Sequence, residues 1–281
     1  MRLAACAVLA ACTPAHDLPD GAECALPELA ADWLHDLAAN AVTQLAASTR
    51  STTTERDAAR TYLADQLSQM GWDPQLQAYP TGTNVYATIP STTGSTQQIV
   101  VGAHFDTVAG SPGANDNATG VAAALAVARY LRDTPCRGAN VVVAFFDQEE
   151  LGLFGSRAFA AKLAGADVTA VHTIDQIGWD ADHDRRFEIE SPTAALAQEY
   201  ADAATIVGVP ITTTSTQGTD HQAFRDAGFP AVGLTEEYVE GDTSPYRHTP
   251  QDTVSTVDLD YVVFGAELVG QVVLREDAAS M

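Results

Sequence analysis

Residues 140–163 read NVVVAFFDQEELGLFGSRAFAAKL. The first seven residues are almost continuously apolar, which is typical of a β-strand buried on both faces. Polar side chains follow at once, and a helical pattern then runs from Phe154 to Leu163. A strand, a polar loop and a helix in this order indicate a parallel sheet covered by helices, with acidic residues at a strand's carboxyl end.

The same alternation extends outward in both directions along the chain. Further strands are predicted over 84–89, 98–103, 168–174 and 229–234, and further helices over 27–48, 54–70, 121–132, 193–207, 220–227 and 259–274. The strands 84–89 and 98–103 flank a Ser/Thr/Gly turn, which predicts a hairpin. We therefore expect a three-layer α/β/α sandwich with a mixed, mostly parallel central sheet, forming one domain over residues 26–276.

The amino-terminal residues have the pattern of a targeting segment. Met1–Arg2 gives a positive start, and an Ala-rich apolar run leads to Leu9-Ala10-Ala11-Cys12, which looks like a lipoprotein signal. We expect residues 1–11 to be a signal peptide and 12–25 a tether, with Cys12 as a lipid anchor; a plain secretion signal is the alternative. The protein is then an exported cell-envelope lipoprotein or a secreted protein.

Two further cysteines, Cys24 and Cys136, remain in this exported chain. They predict one disulfide between the amino-terminal segment and the body, the alternative being two unpaired small hydrophobic residues.

Composition restricts the partners of the protein. The 281 residues carry 14 Lys and Arg against 37 Asp and Glu, a net charge of −23. Such a surface repels phosphate backbones, so no nucleic-acid partner is expected. No apolar run approaches the roughly 20 residues of a spanning helix, so the lipid anchor is the only expected membrane contact. We expect a monomer.

The chemically interesting residues fall just after predicted strands or in adjoining loops, where open α/β sheets place their ligands. Imidazole and carboxylate groups together suit zinc, and also cobalt or manganese. Five such groups are too many for one tetrahedral ion, but they suit two ions that share a bridging carboxylate. A sixth group is then free to act as a general base. The six residues are His104, Asp116, Glu149, Glu150, Asp175 and His248.

The tandem pair Glu149-Glu150 suggests how the roles divide. Adjacent side chains diverge, so one carboxylate can bind metal while the other faces a water molecule held between two metals. That second carboxylate can take the proton of the water during attack and return it to the leaving amine.

Five segments in order resemble the co-catalytic zinc aminopeptidases, a family that includes bacterial leucyl aminopeptidases and glutamate carboxypeptidase. The resemblance covers about 84–275. The five segments are Ala103–Thr107 (AHFDT), Asn115–Gly120 (NDNATG), Glu149–Ser156 (EELGLFGS), Ile174–Gly178 (IDQIG) and Tyr246–Thr253 (YRHTPQDT).

The resemblance implies a peptide substrate, an aminopeptidase activity and a water bridged between two zinc ions. It implies that one zinc is held by His104, Asp116 and Asp175. It implies that the other is held by Asp116, Glu150 and His248, with Asp116 as the bridge.

Other roles also follow from the resemblance. Glu149 would be the general base and acid, Asp106 would orient His104, and the phenol of Tyr246 would stabilise the oxyanion. Relatives usually carry an apolar residue, often Met, where this chain has Gln176, so a simple preference for leucine does not follow.

Three alternatives stay open at this point. A glutaminyl-cyclase-like acyltransferase works with one zinc, and an inactive binding module would lack some of these residues. A metallo-carboxypeptidase needs a basic group for the substrate carboxylate, and no pattern assigns this role to an arginine. The pair Asp220 and His221 is interpreted as structural, with Asp220 as a helix N-cap.

Overall fold

The computed structural model describes residue 29 and residues 32–281. The predicted signal peptide (1–11), the tether (12–25), Cys12 and Cys24 lie outside the described residues, so these predictions stay untested. Cys136 is buried and is not a free thiol, but its pairing with Cys24 remains a prediction. None of the helices in the described ranges has the length and apolarity that a bilayer crossing requires.

The described residues build one eight-stranded mixed sheet in the order β1-β2-β4-β3-β5-β8-β6-β7. Four neighbouring pairs are parallel: β3 with β4, β3 with β5, β5 with β8, and β6 with β7. The expected fold class is confirmed. The strands are β1 (Gln75–Tyr79), β2 (Gly82–Ile89), β3 (Gln98–His104), β4 (Asn140–Phe146), β5 (Val168–Ile174), β6 (Phe187–Glu190), β7 (Ile211–Thr214) and β8 (Ala231–Thr235).

The predicted hairpin between 84–89 and 98–103 is wrong. Strand β2 instead pairs antiparallel with β4, and β3 lies on the other side of β4. The physical reason is the burial of β4: a strand that is apolar on both faces is stable in the interior of a sheet. The hairpin partner of β2 is β1, whose sequence QLQAY is largely exposed at the sheet edge.

Helices cover both faces of the sheet, and successive side chains along a strand point to opposite faces. Ile99 and Val101 belong to the hydrophobic core that includes side chains of α1, α2, α3, α5 and α7, whereas Val100 belongs to a second core that includes side chains of α4 and α6. The helices are α1 (Asp32–Leu45), α2 (Thr53–Gln69), α3 (Gly120–Asp133), α4 (Phe154–Lys162), α5 (Ala194–Val207), α6 (Asp220–Asp226) and α7 (Leu259–Ala279).

Two local features place residues near the site. Helix α2 begins with a capping box in which Thr52 and Glu55 satisfy each other's backbone N–H groups. A buried π-helical turn, Ala114–Thr119, leads directly into α3, and the Asp116–Asn117 peptide bond in it is cis. This turn carries Asp116 over the carboxyl ends of the central strands.

Candidate active site

The candidate site lies at the carboxyl ends of three adjacent strands, β4, β3 and β5. His104 is the last residue of β3, Asp175 directly follows β5, and Glu149 and Glu150 lie in the loop after β4. Because these strands are neighbours and parallel to one another, their carboxyl ends meet at one edge. The predicted placement at strand ends is therefore what the structure has.

The structure brings the five expected ligands into two groups that share Asp116. His104 Nε2 lies 3.3 Å from Asp116 Oδ1 and 3.4 Å from Asp175 Oδ1. His248 Nε2 lies 3.1 Å from Asp116 Oδ2 and 3.0 Å from Glu150 Oε2. Within each group the ligand atoms lie within 4.8 Å of one another, close enough to surround a single ion. The two oxygens of Asp116 thus face two different groups.

A buried carboxylate oxygen without a partner marks the same place. Glu150 Oε1 is buried and makes no hydrogen bond among the described residues. Buried polar atoms are normally satisfied, so this oxygen is suited to contact a positively charged ligand.

Asp116 is held in place through backbone donors. Asp252 Oδ1 accepts from Asn115 N at 2.7 Å, and Asp252 Oδ2 accepts from Asp116 N at 3.1 Å. The Asn117 side chain donates to Ile174 O at 2.8 Å and accepts from Gln176 N at 3.1 Å. These bonds fix the Asp116 turn against both residues that flank Asp175.

Asp106 acts on two parts of the site. Its carboxylate accepts from Glu149 N at 2.9 Å and from Glu150 N at 3.3 Å. Its Oδ1 lies 3.6 Å from His104 Nδ1, whereas its own carbonyl oxygen lies nearer, at 3.3 Å. Asp106 therefore holds the backbone of the Glu149-Glu150 loop, and it also lies beside the His104 ring.

Burial and charge shift the pKa values of these groups. Burial raises the pKa of Glu149 well above its usual range, and Asp175 adds to the rise while His104 opposes it. Burial also raises the pKa of Glu150. For Asp116, burial is outweighed by hydrogen bonds from His104 and His248, so its pKa is lowered. A carboxyl group with a raised pKa, such as Glu149, is suited to carry a proton near neutral pH.

Tyr246 and Gln176 each contact a neighbouring side chain. The Tyr246 ring is half-buried and meets the Trp179 ring edge-on, with centroids 5.6 Å apart. Gln176 is buried, donates to Thr243 Oγ1 at 3.1 Å, and lines a pocket beside Asp175. The side chain that departs from the family pattern thus borders a cavity next to the candidate ligands.

Arg50 is a site residue that the sequence did not indicate. Its buried guanidinium donates to the carbonyls of Leu45, Pro112 and Gly113 at 2.7, 2.7 and 2.8 Å, and also to Phe105 O. It ties together the loop after β3 and the turn that carries Asp116. No spacing rule singles out one arginine in a loop, because its partners are main-chain atoms.

Asp147 was also missed, although it directly follows β4. It is buried and forms ion pairs with Arg56 at 2.8 Å and Arg60 at 2.9 Å. It attaches α2 to the sheet beside the site. The only signal was its place in the acidic run with Glu149 and Glu150.

The pair Asp220-His221 differs in part from expectation. Thr219, not Asp220, is the N-cap residue of α6, so the N-cap interpretation of Asp220 is wrong. Asp220 is the first helical residue and is buried next to Ser156, since its carboxylate packs toward α4 instead of capping the helix. His221 is fully buried.

Curated relatives match a large part of the chain. Aminopeptidase YwaD of Bacillus subtilis is 27% identical over 184 residues, covering 61% of this chain and 39% of YwaD. The probable lipoprotein aminopeptidase LpqL of Mycobacterium tuberculosis is 32% identical over 161 residues, covering 50% of this chain and 32% of LpqL. The chain thus spans less than half the length of these two relatives.

Solved structures share the fold at lower identity. LapA aminopeptidase of Legionella pneumophila superposes with a TM-score of 0.78 at 22% identity, covering 86% of this chain and 72% of LapA. BSAP, a zinc aminopeptidase of Bacillus subtilis, gives 0.65 at 24%, covering 71% and 52%. A glutaminyl cyclase of Porphyromonas gingivalis gives 0.74 at 20%, covering 88% and 98%.

The family assignment rests on residues 84–273, which match peptidase family M28. This range is more than half of the chain, and it contains all five segments on which the resemblance was based. The resemblance and the expectation of a peptidase are confirmed. The chain belongs to peptidase family M28.

Proposed function

We propose that this protein is a zinc-dependent aminopeptidase that removes amino-terminal residues from peptides with the help of two metal ions. The observation that carries the proposal is the sharing of Asp116 between two groups of ligand atoms. A bridging carboxylate between two such groups is the arrangement of two-metal hydrolases. The names of YwaD, LpqL and BSAP as aminopeptidases, and of BSAP as a zinc enzyme, support it.

The donor set fits zinc. Each group offers one imidazole and two carboxylates, a mixture that zinc prefers over the all-oxygen sites of magnesium and calcium. Glu150 Oε1, which is buried and makes no hydrogen bond among the described residues, fits contact with a cation. His104, Asp116 and Asp175 would hold one ion, and Asp116, Glu150 and His248 the other; cobalt or manganese suits the same donors.

The chemistry supplied by two bound ions is Lewis acidity, which polarises the scissile carbonyl and lowers the pKa of water. Glu149 is the group placed to move the proton. Its Oε2 lies 4.0 Å from His104 Nε2, beside the ligand groups. It takes a proton from the attacking water at its carboxylate and delivers that proton to the leaving amine.

Two further residues complete the proposed machinery. Asp106 holds the Glu149-Glu150 loop through its two backbone bonds, so the proton-transfer group keeps its position. Tyr246, fixed against Trp179, supplies a phenol for the developing oxyanion.

Attack at the amino terminus is favoured over attack at the carboxyl terminus by the position of Arg247. A carboxypeptidase needs a free basic group for the substrate carboxylate. Arg247 Nε lies 3.2 Å from Asp116 Oδ2, so this cation is already engaged with the ligand cluster.

A glutaminyl-cyclase-like activity is the second candidate function, because a glutaminyl cyclase has the same fold as this chain. A one-zinc acyltransferase does not require two ligand groups, whereas both groups are complete in this chain. Metal content and product therefore separate the two functions.

The deciding experiment is a panel of amino-acid 4-nitroanilides and short peptides, assayed before and after chelation, with the metal counted by mass spectrometry. We expect two zinc ions per chain, release of single amino-terminal residues, and loss of activity on chelation that zinc restores. Activity that resists the chelator, or one zinc with no release of amino acids, would refute the proposal.

We also propose that the protein is exported and anchored at the cell envelope through Cys12. The lipoprotein-like start of the sequence and the description of LpqL as a probable lipoprotein support this location. Labelling with a radioactive fatty acid, with Cys12→Ser as the control, tests the anchor: label retained in the variant would exclude Cys12.

A further inference from the structure

The pocket beside Asp175 has an unusual lining for a site that accepts a leucine side chain. Polar side chains predominate in its lining, among them Gln176, Glu190, Thr216 and Thr219. Pockets for apolar side chains are lined mainly by hydrophobic and aromatic residues. Among the described residues that line this one, Tyr238 is the only aromatic residue and none is aliphatic.

Glu190 is the feature that determines the character of this pocket. It is the last residue of β6, its side chain is 2% exposed, and it borders the cavity. Two side chains contact its Oε2: Thr219 Oγ1 at 3.0 Å and His221 Nδ1 at 3.3 Å. Among the described residues, Oε1 makes no hydrogen bond, so it is available to a ligand.

The partners of Glu190 cannot neutralise its carboxylate. His221 Nε2 faces the carbonyl of Thr216 at 3.2 Å, which can only accept, so the proton of a neutral ring is on Nε2. Burial lowers the pKa of His221 to about 4, which keeps the ring neutral. His221 Nδ1 is then an acceptor, and it lies 2.7 Å from Thr219 Oγ1.

The single hydroxyl proton of Thr219 is consequently shared between two acceptors, His221 Nδ1 and Glu190 Oε2. Burial, with Asp175 nearby, raises the pKa of Glu190 to about 7, as expected for a carboxyl without enough donors. A cation entering the pocket would supply the missing charge and hydrogen bonds.

Gln176 adds a second unsatisfied acceptor. Its Nε2 is committed to Thr243, but its Oε1 is buried and has no partner among the described residues. Gln176 and Glu190 thus both line the same cavity, and each has a side-chain oxygen without a hydrogen bond among the described residues. The only cation among the lining residues, Arg247, is paired with Asp116.

We propose that this pocket receives the side chain of the amino-terminal residue and selects lysine or arginine, whose positive charge is accepted by Glu190 and Gln176. The proposal rests on the aminopeptidase function proposed above, and it names the substrate class of that site. Buried polar groups left unpaired by a wrong substrate cost binding, so such a pocket rejects an apolar side chain of the same length.

The sharpest test compares lysine with norleucine, which has the same four-carbon chain without the ammonium group. We measure kcat/KM for the lysyl, arginyl, norleucyl, leucyl and glutamyl 4-nitroanilides. We expect lysine to exceed norleucine by at least about tenfold, as one charge-assisted hydrogen bond supports, and glutamate to be the poorest substrate. A norleucine rate equal to or above that of lysine overturns the proposal.

Variants locate the selectivity. Glu190→Gln keeps the shape of the side chain and should reduce the lysine-to-norleucine ratio to about one, chiefly by lowering the rate for lysine. Gln176→Met should raise the norleucine rate. The matched control is Glu188→Gln: this carboxylate is also buried on β6, but it accepts from the backbone of Val239 and Glu240 and does not line the pocket.

The remaining outcomes are also decisive. If Glu190→Gln reduces all substrates equally, Glu190 serves the α-amino group or the fold, and the selectivity proposal is wrong. If no anilide is cleaved, the aminopeptidase function fails, and calorimetry with lysinamide and norleucinamide decides the pocket separately: stronger binding of lysinamide supports a cation pocket, and equal binding excludes it. If Glu190→Gln does not fold, the lysine-to-norleucine ratio of the wild-type protein and the norleucine rate of Gln176→Met still test the selectivity proposal.

Discussion

Glu149 and Glu150 are neighbours in the chain but differ in their contacts. Glu150 Oε2 lies 3.0 Å from His248 Nε2, inside a ligand group, whereas Glu149 Oε2 is 4.0 Å from the nearest imidazole. Substituting each by glutamine therefore has different consequences. We expect Glu149→Gln to lower kcat by a factor of about 10²–10⁴, the usual size of a lost general base, with two metals still bound.

Glu150→Gln is the matched control, because it makes the same chemical change one residue away. We expect it to reduce the metal content toward one ion per chain. Both variants are checked by steady-state kinetics and metal analysis on the same preparations. If Glu149→Gln loses metal while Glu150→Gln keeps it, the two roles are reversed.

Asp106 supports a second prediction at this scale. Its carboxylate accepts two backbone N–H groups, and asparagine offers one oxygen and a donor in its place. One of the two N–H groups then faces another donor, and the loop shifts. We expect Asp106→Asn to weaken metal affinity or activity about 10–100-fold, measured by zinc titration and kcat/KM.

The comparison for Asp106 is Asp252→Asn, since Asp252 holds the Asp116 turn with the same two-bond geometry. Similar losses in both variants indicate that the carboxylates act by fixing ligand-bearing loops. Full activity in Asp106→Asn would contradict the proposal that Asp106 holds the Glu149-Glu150 loop in position.

At the scale of residues, the sequence indicated which side chains gather but not what holds them. His104, Asp116, Glu150, Asp175 and His248 were named from residue type and position, and the structure brings them together. The resemblance named Asp106 as a partner of His104 but did not indicate its bonds to the Glu149-Glu150 backbone, and it gave no role to Asp252 or Arg50. All three side chains act through main-chain N–H or C=O groups. Every residue carries those groups, so no sequence pattern distinguishes the ones that are used.

At the scale of elements, the positions of individual strands in the sequence were predicted more reliably than the order of the strands in the sheet. Strand β4 was recognised by continuous apolar character, but its position between β2 and β3 was not, because adjacency in sequence favours hairpins. Strands β1, β6 and β7 were not predicted. In β6, FEIE alternates apolar and acidic residues, and both its glutamates are nevertheless buried.

Arg50 tests how the loops between elements are held. Removing its guanidinium leaves the buried carbonyls of Leu45, Pro112 and Gly113 without that donor. We expect Arg50→Met to lower the free energy of unfolding by about 3 kcal/mol, because each unsatisfied buried group costs about 1–3 kcal/mol. Urea denaturation followed by circular dichroism measures this change.

The control for Arg50 is Arg157→Met. Arg157 forms a surface ion pair with Asp226 at 3.4 Å and its side chain is 52% exposed, so its removal should change stability by about 0–1 kcal/mol. Equal effects of the two substitutions would mean that the Arg50 bonds contribute little to the fold.

At the scale of the whole molecule, the net charge of −23 and the buried acidic cluster act in the same direction. Four carboxylates, those of Asp116, Glu149, Glu150 and Asp175, lie within one edge of the sheet and repel one another. Bound cations offset this repulsion in the folded state only, so metal and folding are thermodynamically linked. Removing the metal should therefore destabilise the whole protein.

We expect chelation to lower Tm markedly and zinc to restore it. A ligand at a thousand times its Kd stabilises by about 4 kcal/mol, and about 1 kcal/mol corresponds to roughly 2–4 °C in a chain of this size. The expected shift is thus on the order of 10 °C in differential scanning calorimetry. Magnesium at equal concentration is the control, because it screens the acidic surface but suits oxygen ligands and not His104 or His248. A magnesium effect as large as that of zinc would assign the stabilisation to surface charge, whereas a zinc effect that Glu150→Gln reduces assigns it to the two-metal cluster.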